Sequence, residues 1–238
     1  MGATRAARQM LRLAGVEVVA RKPRNFPRLR RPLLVDEERI TVALDVGANR
    51  GQWAAELRRA GYRGRIVSFE PGAEAFAALE RAAASDPLWD CRRTAVGAGS
   101  GTTTLHVSRN SVSSSLLPHS DLQVAIAPES AEVDTETVTL ARLDDVEGLA
   151  ASGDRILLKA DVEGAELDVL RGATRLLEWT RLLELELSAV PLHEGQPLLG
   201  EVVHWCERAG FALTGLEVSF RDRRTGDLLS ANGFFRRA

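Results

Sequence analysis

The sequence predicts an α/β domain built on a mostly parallel sheet with helices on both faces. Three observations carry this reading. From Ile40 onward, short β-branched and leucine-rich runs alternate with amphipathic segments, as in parallel strands covered by helices. Several of these runs end in polar, glycine-containing turns, the edge at which open α/β sheets bind ligands. At 238 residues, 45% apolar and 27% charged, the chain also has the material for one sizeable core. That composition argues against disorder, collagen-like sequence and a disulfide scaffold.

The first forty residues stand apart. They hold ten basic and four acidic side chains, whereas residues 41–238 hold 21 and 29. We therefore divide the chain into a basic arm, 1–39, and a body, 40–238. Only Phe26 is aromatic before Arg50, which argues against a nucleic-acid surface. Ala6, Met10, Leu13 and Val16 recur at helical spacing and predict a short helix laid on the body, with prolines 23, 27 and 32 breaking it before the first strand. Arg12 and Glu17 interrupt the apolar segment 10–20, so neither a signal peptide nor a membrane span is expected, and the chain is expected to stay in the cytoplasm. Cys91 and Cys206 have no CxxC spacing and read as reduced core thiols. Of the 31 cationic residues, only Lys22 and Lys159 are lysine.

The elements follow in order. Thr41 to Val46 reads as the first strand, then a glycine-containing turn and a helix through Leu57. Arg65 to Glu70 is the second strand, followed by a helix carrying Phe76 and Leu79. Arg92 to Gly97 and Thr102 to Ser108 flank Ala98-Gly99-Ser100-Gly101, which predicts a hairpin. Residues 109–135 read as a long excursion. Ile156 to Val162 is the next buried strand, Ala165 to Leu177 a helix, and Leu182 to Leu187 another strand. A helix with Val202, Val203 and Cys206 precedes two runs, Phe211 to Phe220 and Leu228 to Arg236, that suit an antiparallel hairpin on a parallel sheet.

Three strand ends carry chemistry. The first is Asp45-Val46-Gly47-Ala48-Asn49-Arg50-Gly51, where glycines let backbone approach a ligand and the next helix offers free N–H groups. Its G-x-x-x-G spacing is neither a dinucleotide fingerprint nor a P-loop. The second is Glu70-Pro71, 25 residues after Asp45. A carboxylate there accepts both hydroxyls of a ribose, as in NAD- and adenosylmethionine-binding folds, or else caps the following helix. The third is Lys159-Ala160-Asp161-Val162-Glu163-Gly164-Ala165-Glu166, where period-2 alternation puts Lys159 and Asp161 on one face. Glu166 is expected only to cap and solvate the helix that follows.

With these ends in view, the chain from about Leu44 onward resembles the FkbM-type methyltransferases. The resemblance runs through DVGANRGQW, VSFEP, NSVSSSLLP, VTLARLDD, LLKADVEGAELDVLRGA, LELSAVPLHEGQPL and GLEVSFRDRRTGDLL, in that order. It implies a Rossmann-like class I methyltransferase with a mostly parallel seven-stranded sheet and a C-terminal antiparallel hairpin. It further implies S-adenosyl-L-methionine as cofactor, with Asp45, Gly47, Asn49 and Gly51 holding the methionyl part, Glu70 and Pro71 at the ribose, and Ala95 and Val96 against adenine. Ser113, Ser114 and Ser115 match a serine run placed near the reaction centre. The implied reaction is O-methylation of a sugar, polyketide or other natural product.

Methyl transfer needs alignment, exclusion of water and a destination for the acceptor's proton. Asp161, Lys159, Glu163, Glu186 and His193 are the candidates. Asp161 is expected to orient cofactor or acceptor, Glu186 to reach the same cleft, and Glu163 and His193 to contact substrate. Lys159 is expected to balance charge, since neighbouring acids raise a lysine's pKa. The family pattern favours Tyr at His193 and often Asp at Asn232. Asp161 and Glu186 without a third convergent acid form a polar cleft rather than a magnesium site, so no metal is expected. The expected partner is a small-molecule or glycan acceptor, with no nucleic acid and no membrane, and a homodimer stays open. The alternatives are an NAD-dependent oxidoreductase, which lacks its G-x-G-x-x-G, and a non-catalytic nucleotide-binding scaffold.

Overall fold

A computed structural model describes residues 27–238. The predicted helix carrying Ala6, Met10, Leu13 and Val16 lies outside the described residues, as does Lys22. Helix α1 (Pro27–Glu37) precedes β1 (Val42–Val46), α2 (Gln52–Arg59), β2 (Arg65–Phe69), α3 (Ala73–Ala83), β3 (Trp89–Arg92) and β4 (Ala95–Val96). Then come β5 (Gly101–Ser108), α4 (Asp121–Ile126), β6 (Glu132–Ala141), β7 (Ile156–Ala160), α5 (Glu166–Arg171), β8 (Thr180–Ser188), α6 (Leu199–Arg208), β9 (Phe211–Arg221) and β10 (Leu228–Arg237).

Seven strands form the main sheet in the order β3-β2-β1-β7-β8-β10-β9, with β10 antiparallel to both neighbours. The parallel strands β1 and β7 are buried along their whole length, as strands covered on both faces must be. Leu34 and Val35 of α1, Ala54 and Leu57 of α2 and Leu79 of α3 pack one face. Val169 and Leu170 of α5 and Val202 and Cys206 of α6 pack the other. Strand order reverses between β1 and β7, and a crevice opens there beyond their carboxyl ends.

Two expectations are corrected. Ala95–Val96 and Gly101–Ser108 do not form a hairpin with each other. Both instead pair with β6, in parallel and antiparallel respectively, in a separate three-stranded sheet. The sequence reading also placed no helix between Pro27 and the first strand, where one forms. Pro27 opens α1, where its missing N–H costs nothing, and Pro32 sits inside the helix. The helix is held despite Pro32 because neighbouring Arg31, Leu34 and Val35 are buried against the body.

Candidate active site

The floor of the site is two rungs of the sheet. Strand register places Asp45, Lys159, Glu184 and Phe234 side by side across β1, β7, β8 and β10. The next rung holds Glu186, Asn232 and Glu217. Asp161, one residue past β7, lies at the crevice mouth. On the first rung, Lys159 Nζ lies 3.1 Å from Asp45 Oδ1 and donates to the Gly47 carbonyl at 2.8 Å. Burial alone would depress the Lys159 pKa, but Asp45 and then Asp161 outweigh it and hold the ammonium charged. Asp161 Oδ2 is 3.7 Å away.

The turn after β1 is shaped by what lies against it. Gly47 has a φ of +72°, and a Cβ there would fall 1.8 Å from the Asp161 carbonyl oxygen, so only glycine fits. Glu70 ties this turn to the second strand end: its oxygens accept from the Asn49 N–H at 2.8 Å and the Gly72 N–H at 2.9 Å. Gly72 caps α3, so the predicted capping contact exists beside the free lone pairs that Glu70 retains. Burial raises the Glu70 pKa.

Two compartments meet here. The first is lined by Gly47, Glu70, Pro71, Ala95, Val96, Ser114, Ser115, Asp161 and Glu163. The second, a cavity of about 230 Å³ between the sheet and α1–α2, is lined by Lys159, Glu184 and Phe234 of the first rung, by the whole second rung, and by Arg31, Gln52, Trp53 and Glu56. Gly47, Asn49, Val112 and Asp161 border both. Ser111 and Val112, near the start of the 109–135 excursion, line the first compartment, anchored by Asn49 Nδ2 donating to the Ser111 carbonyl at 2.8 Å.

Asp161, Glu163 and Glu186 each bring a carboxylate oxygen within 4.8 Å of the other two. Glu163 is thus the third convergent acid that the sequence reading did not find, and this set can hold a divalent cation. The crowding shifts protons. Burial, then Asp161 and Glu166, push the Glu186 pKa up to about 8, against a Ser230 hydroxyl that donates to it at 3.0 Å. Burial, then Glu186 and Asp161, raise Glu163 as well.

Several predicted residues lie elsewhere. Asp45 is fully buried beneath the turn, facing Lys159 rather than either compartment. Gly51 supports the turn from behind, with Leu79 and Trp89 against it. Ser113 is buried, its carbonyl accepting from Ser108 Oγ at 2.9 Å. His193 is 1% exposed, borders neither compartment and has no partner on either ring nitrogen. Glu166 is not solvated: it is buried and accepts from the Val162 N–H at 2.9 Å, pinning the turn after β7. Arg31, Trp53, Glu56, Glu184, Glu217 and Phe234 were missed. Period-2 alternation from Glu186 would have found Glu184, but the others need the register of β8, β10 and β9 or the seat of α1.

A switch-point crevice on a 3-2-1-7-8-10-9 sheet is the frame of class I methyltransferases, and the methyltransferase FkbM domain model matches residues 45–213. The chain belongs to the FkbM methyltransferase family. The match spans both strand ends and the whole β7–β8 unit of this FkbM methyltransferase. No curated protein matches its sequence. Among solved structures, the ribosomal protein L11 methylase of Lactobacillus delbrueckii subsp. bulgaricus is similar at 12% identity over 83% of this chain and 70% of that one, TM-score 0.45. A precorrin-6y methyltransferase of Geobacter metallireducens GS-15 is similar at 13% identity over 83% and 79%, TM-score 0.43. A riboflavin-derivative dimethyltransferase of Streptomyces davawensis is similar at 17% over 87% and 53%, TM-score 0.44.

Family and fold imply adenosylmethionine, and the residues present fit it. The glycine turn at Gly47, the Glu70 carboxylate at the end of β2 and apolar Ala95 and Val96 line one compartment together. No helix among the described residues is long and apolar enough to cross a membrane.

Proposed function

We propose that this methyltransferase uses S-adenosyl-L-methionine to methylate a hydroxyl of a small molecule or glycan, such as a sugar or polyketide. The observation that supports the reading is the junction at Gly47, Asn49 and Asp161, where the compartment beside Glu70, Ala95 and Val96 borders a second, polar one. When bound, the cofactor supplies an activated methyl group. Glu70 accepts from the ribose hydroxyls, and Ala95 and Val96 cover adenine. Asp161 orients the acceptor at the border of the two compartments. An alcohol needs help to lose its proton, and a carboxylate beside the attacking oxygen provides it. Glu186, on the second rung, takes the proton, with Ser230 fixing its orientation. Lys159 neutralises Asp45 and keeps the turn in place. Arg31 and Val112 add to the lining of the polar compartment.

Calorimetry with adenosylhomocysteine and with NAD tests the cofactor; heat from NAD alone would replace this reading with an oxidoreductase. A screen of hydroxylated acceptors by mass shift tests the reaction. Asp161→Asn and Glu186→Gln, both still binding adenosylhomocysteine, are each expected to lower turnover at least tenfold, and unchanged turnover in both would remove their roles.

A further inference from the structure

We propose that Ser115 and Gln196 are positioning residues for methyl transfer: reaching in from the excursion and from the loop after β8, they hold the turn 161–164, and with it Asp161 and Glu163. This rests on the methyltransferase reading above. Neither side chain is asked to touch the reacting atoms.

The turn needs holding. Glu163 and Gly164 follow one another with φ of +54° and +101°, and a left-handed residue other than glycine persists only where its surroundings over-determine it. Its place is also tightly set, because the Asp161 carbonyl lies over Gly47 and both Asp161 and Glu163 border the cofactor compartment. Glu166 pins the turn from within, accepting from the Val162 and Gly164 N–H groups at 2.9 and 3.3 Å. That leaves the Glu163 carbonyl and the outer side of Gly164 to other elements.

Two elements meet them. Ser115, 1% exposed, is fixed to β5 by a pair of backbone bonds with His106, of 2.8 and 3.1 Å, and its hydroxyl donates to the Glu163 carbonyl at 2.6 Å. That commits the one proton of the hydroxyl, and the Leu117 N–H occupies a lone pair at 3.0 Å. A hydroxyl so held braces the turn. Gln196 lies against the other side, where a Cβ on Gly164 would sit 3.2 Å from the Gln196 amide carbon. The amide is itself fixed: its oxygen accepts from the Leu192 and His193 N–H groups at 2.9 and 3.0 Å, and its nitrogen donates to Ser188 Oγ at 2.6 Å. Ser188 stands two residues beyond Glu186 on β8, so one buried side chain joins the strand of Glu186 to the turn of Asp161 and Glu163. The loop that Gln196 organises is bonded in turn to the excursion, Ser120 to Leu192 and Glu194 to Pro118, yet residues 189–197 line neither compartment. A ligand in the cofactor compartment touches the turn and the excursion directly, and reaches this loop only through them.

The test uses the full chain. Heat from adenosylhomocysteine is measured first by calorimetry, and its absence would overturn the methyltransferase reading and this proposal with it. Once heat is seen, the remaining outcomes bear on Ser115 and Gln196 alone. Hydrogen exchange is followed by mass spectrometry with and without adenosylhomocysteine, which is expected to slow wild-type exchange at least about fivefold over 161–166 and over 189–197. Ser115→Ala is expected to bind the ligand within about threefold of wild type and to keep the slowing over 47–51, but to lose it over 161–166 and 189–197. Ser115→Thr, which keeps the hydroxyl, is expected to restore it, and Gln196→Ala to lose it over 189–197. With an acceptor that gains a methyl mass in the screen, both alanine variants are expected to lower kcat at least about tenfold while the KM for adenosylmethionine stays within about threefold. Full ligand-dependent slowing in Ser115→Ala overturns the proposal, as does faster exchange by one factor with and without ligand, which marks a brace for stability alone. A raised KM at unchanged kcat overturns it too, since Ser115 would then be a ligand contact.

Discussion

At the residue scale, Gly47 carries the tightest constraint in the crevice. Its positive φ and the Asp161 carbonyl over its α-carbon leave no position for a methyl group. Gly47→Ala is expected to cost about 1–3 kcal/mol in urea unfolding and to weaken adenosylhomocysteine binding at least tenfold by calorimetry. Wild-type affinity in the variant would show that the turn does not shape the cofactor compartment. Lys159 is constrained differently, by a buried carboxylate and two carbonyls within reach. Lys159→Met leaves Asp45 in the interior without its cation, a loss of about 3–5 kcal/mol, and adding Asp45→Asn is expected to recover most of it. Lys159→Arg keeps the charge but replaces a compact ammonium by a planar fork. In a chain whose cations are otherwise arginine except for Lys22, that swap is expected to lower turnover where Arg→Lys changes elsewhere on the surface do not.

At the element scale, the excursion over the cofactor compartment is clasped to the loop after β8. Ser120 N–H donates to the Leu192 carbonyl at 2.9 Å and Glu194 N–H to the Pro118 carbonyl at 2.9 Å, with the rings of His119 and His193 4.9 Å apart. Burial, then His119, bring the His193 pKa down to about 4. Free in the unfolded chain, the same imidazole titrates near 6.5. The unfolded state therefore binds the extra proton between these values, and stability falls as pH drops from about 6.5 toward about 4, by up to about 3 kcal/mol. His193→Leu removes the proton site and two orphaned nitrogens, so its melting temperature is expected to exceed wild type by more at pH 5 than at pH 7.5. A constant difference at both values would place the acid sensitivity elsewhere. This clasp was illegible in the sequence because a lone histidine on a loop looks alike whether solvated or buried. The parallel strands were legible because burial on both faces demands unbroken apolar runs such as Ile156–Leu158. The β4–β6–β5 sheet was not, since Gly99 and Gly101 signal a local turn while the true partner strand lies some thirty residues on.

At the scale of the whole molecule, ligand binding and stability are coupled through the switch point. Glu70 closes one end of the cofactor compartment and Asp161 the other, on strands belonging to the two halves of the sheet. The strand-end acids were readable one by one, from their place after apolar runs. Their convergence with Glu163, Glu217 and Arg31 was not, because it depends on which strands become neighbours. A ligand bridging β1, β2 and β7 binds only the folded chain and stabilises it by mass action, about 2.7 kcal/mol at a concentration one hundred times its Kd. For a chain of this size that corresponds to a rise in Tm of about 5–10 °C. Adenosylhomocysteine is expected to produce this shift and NAD none. Glu70→Gln keeps one oxygen for the Asn49 or Gly72 amide but loses the charge that favours ribose hydroxyls, so at the same ligand concentration its shift is expected to fall below about 3 °C. Its Tm without ligand separates the two contributions: a variant that melts lower yet shifts as fully as wild type would make Glu70 a brace for the turn and not a ribose ligand.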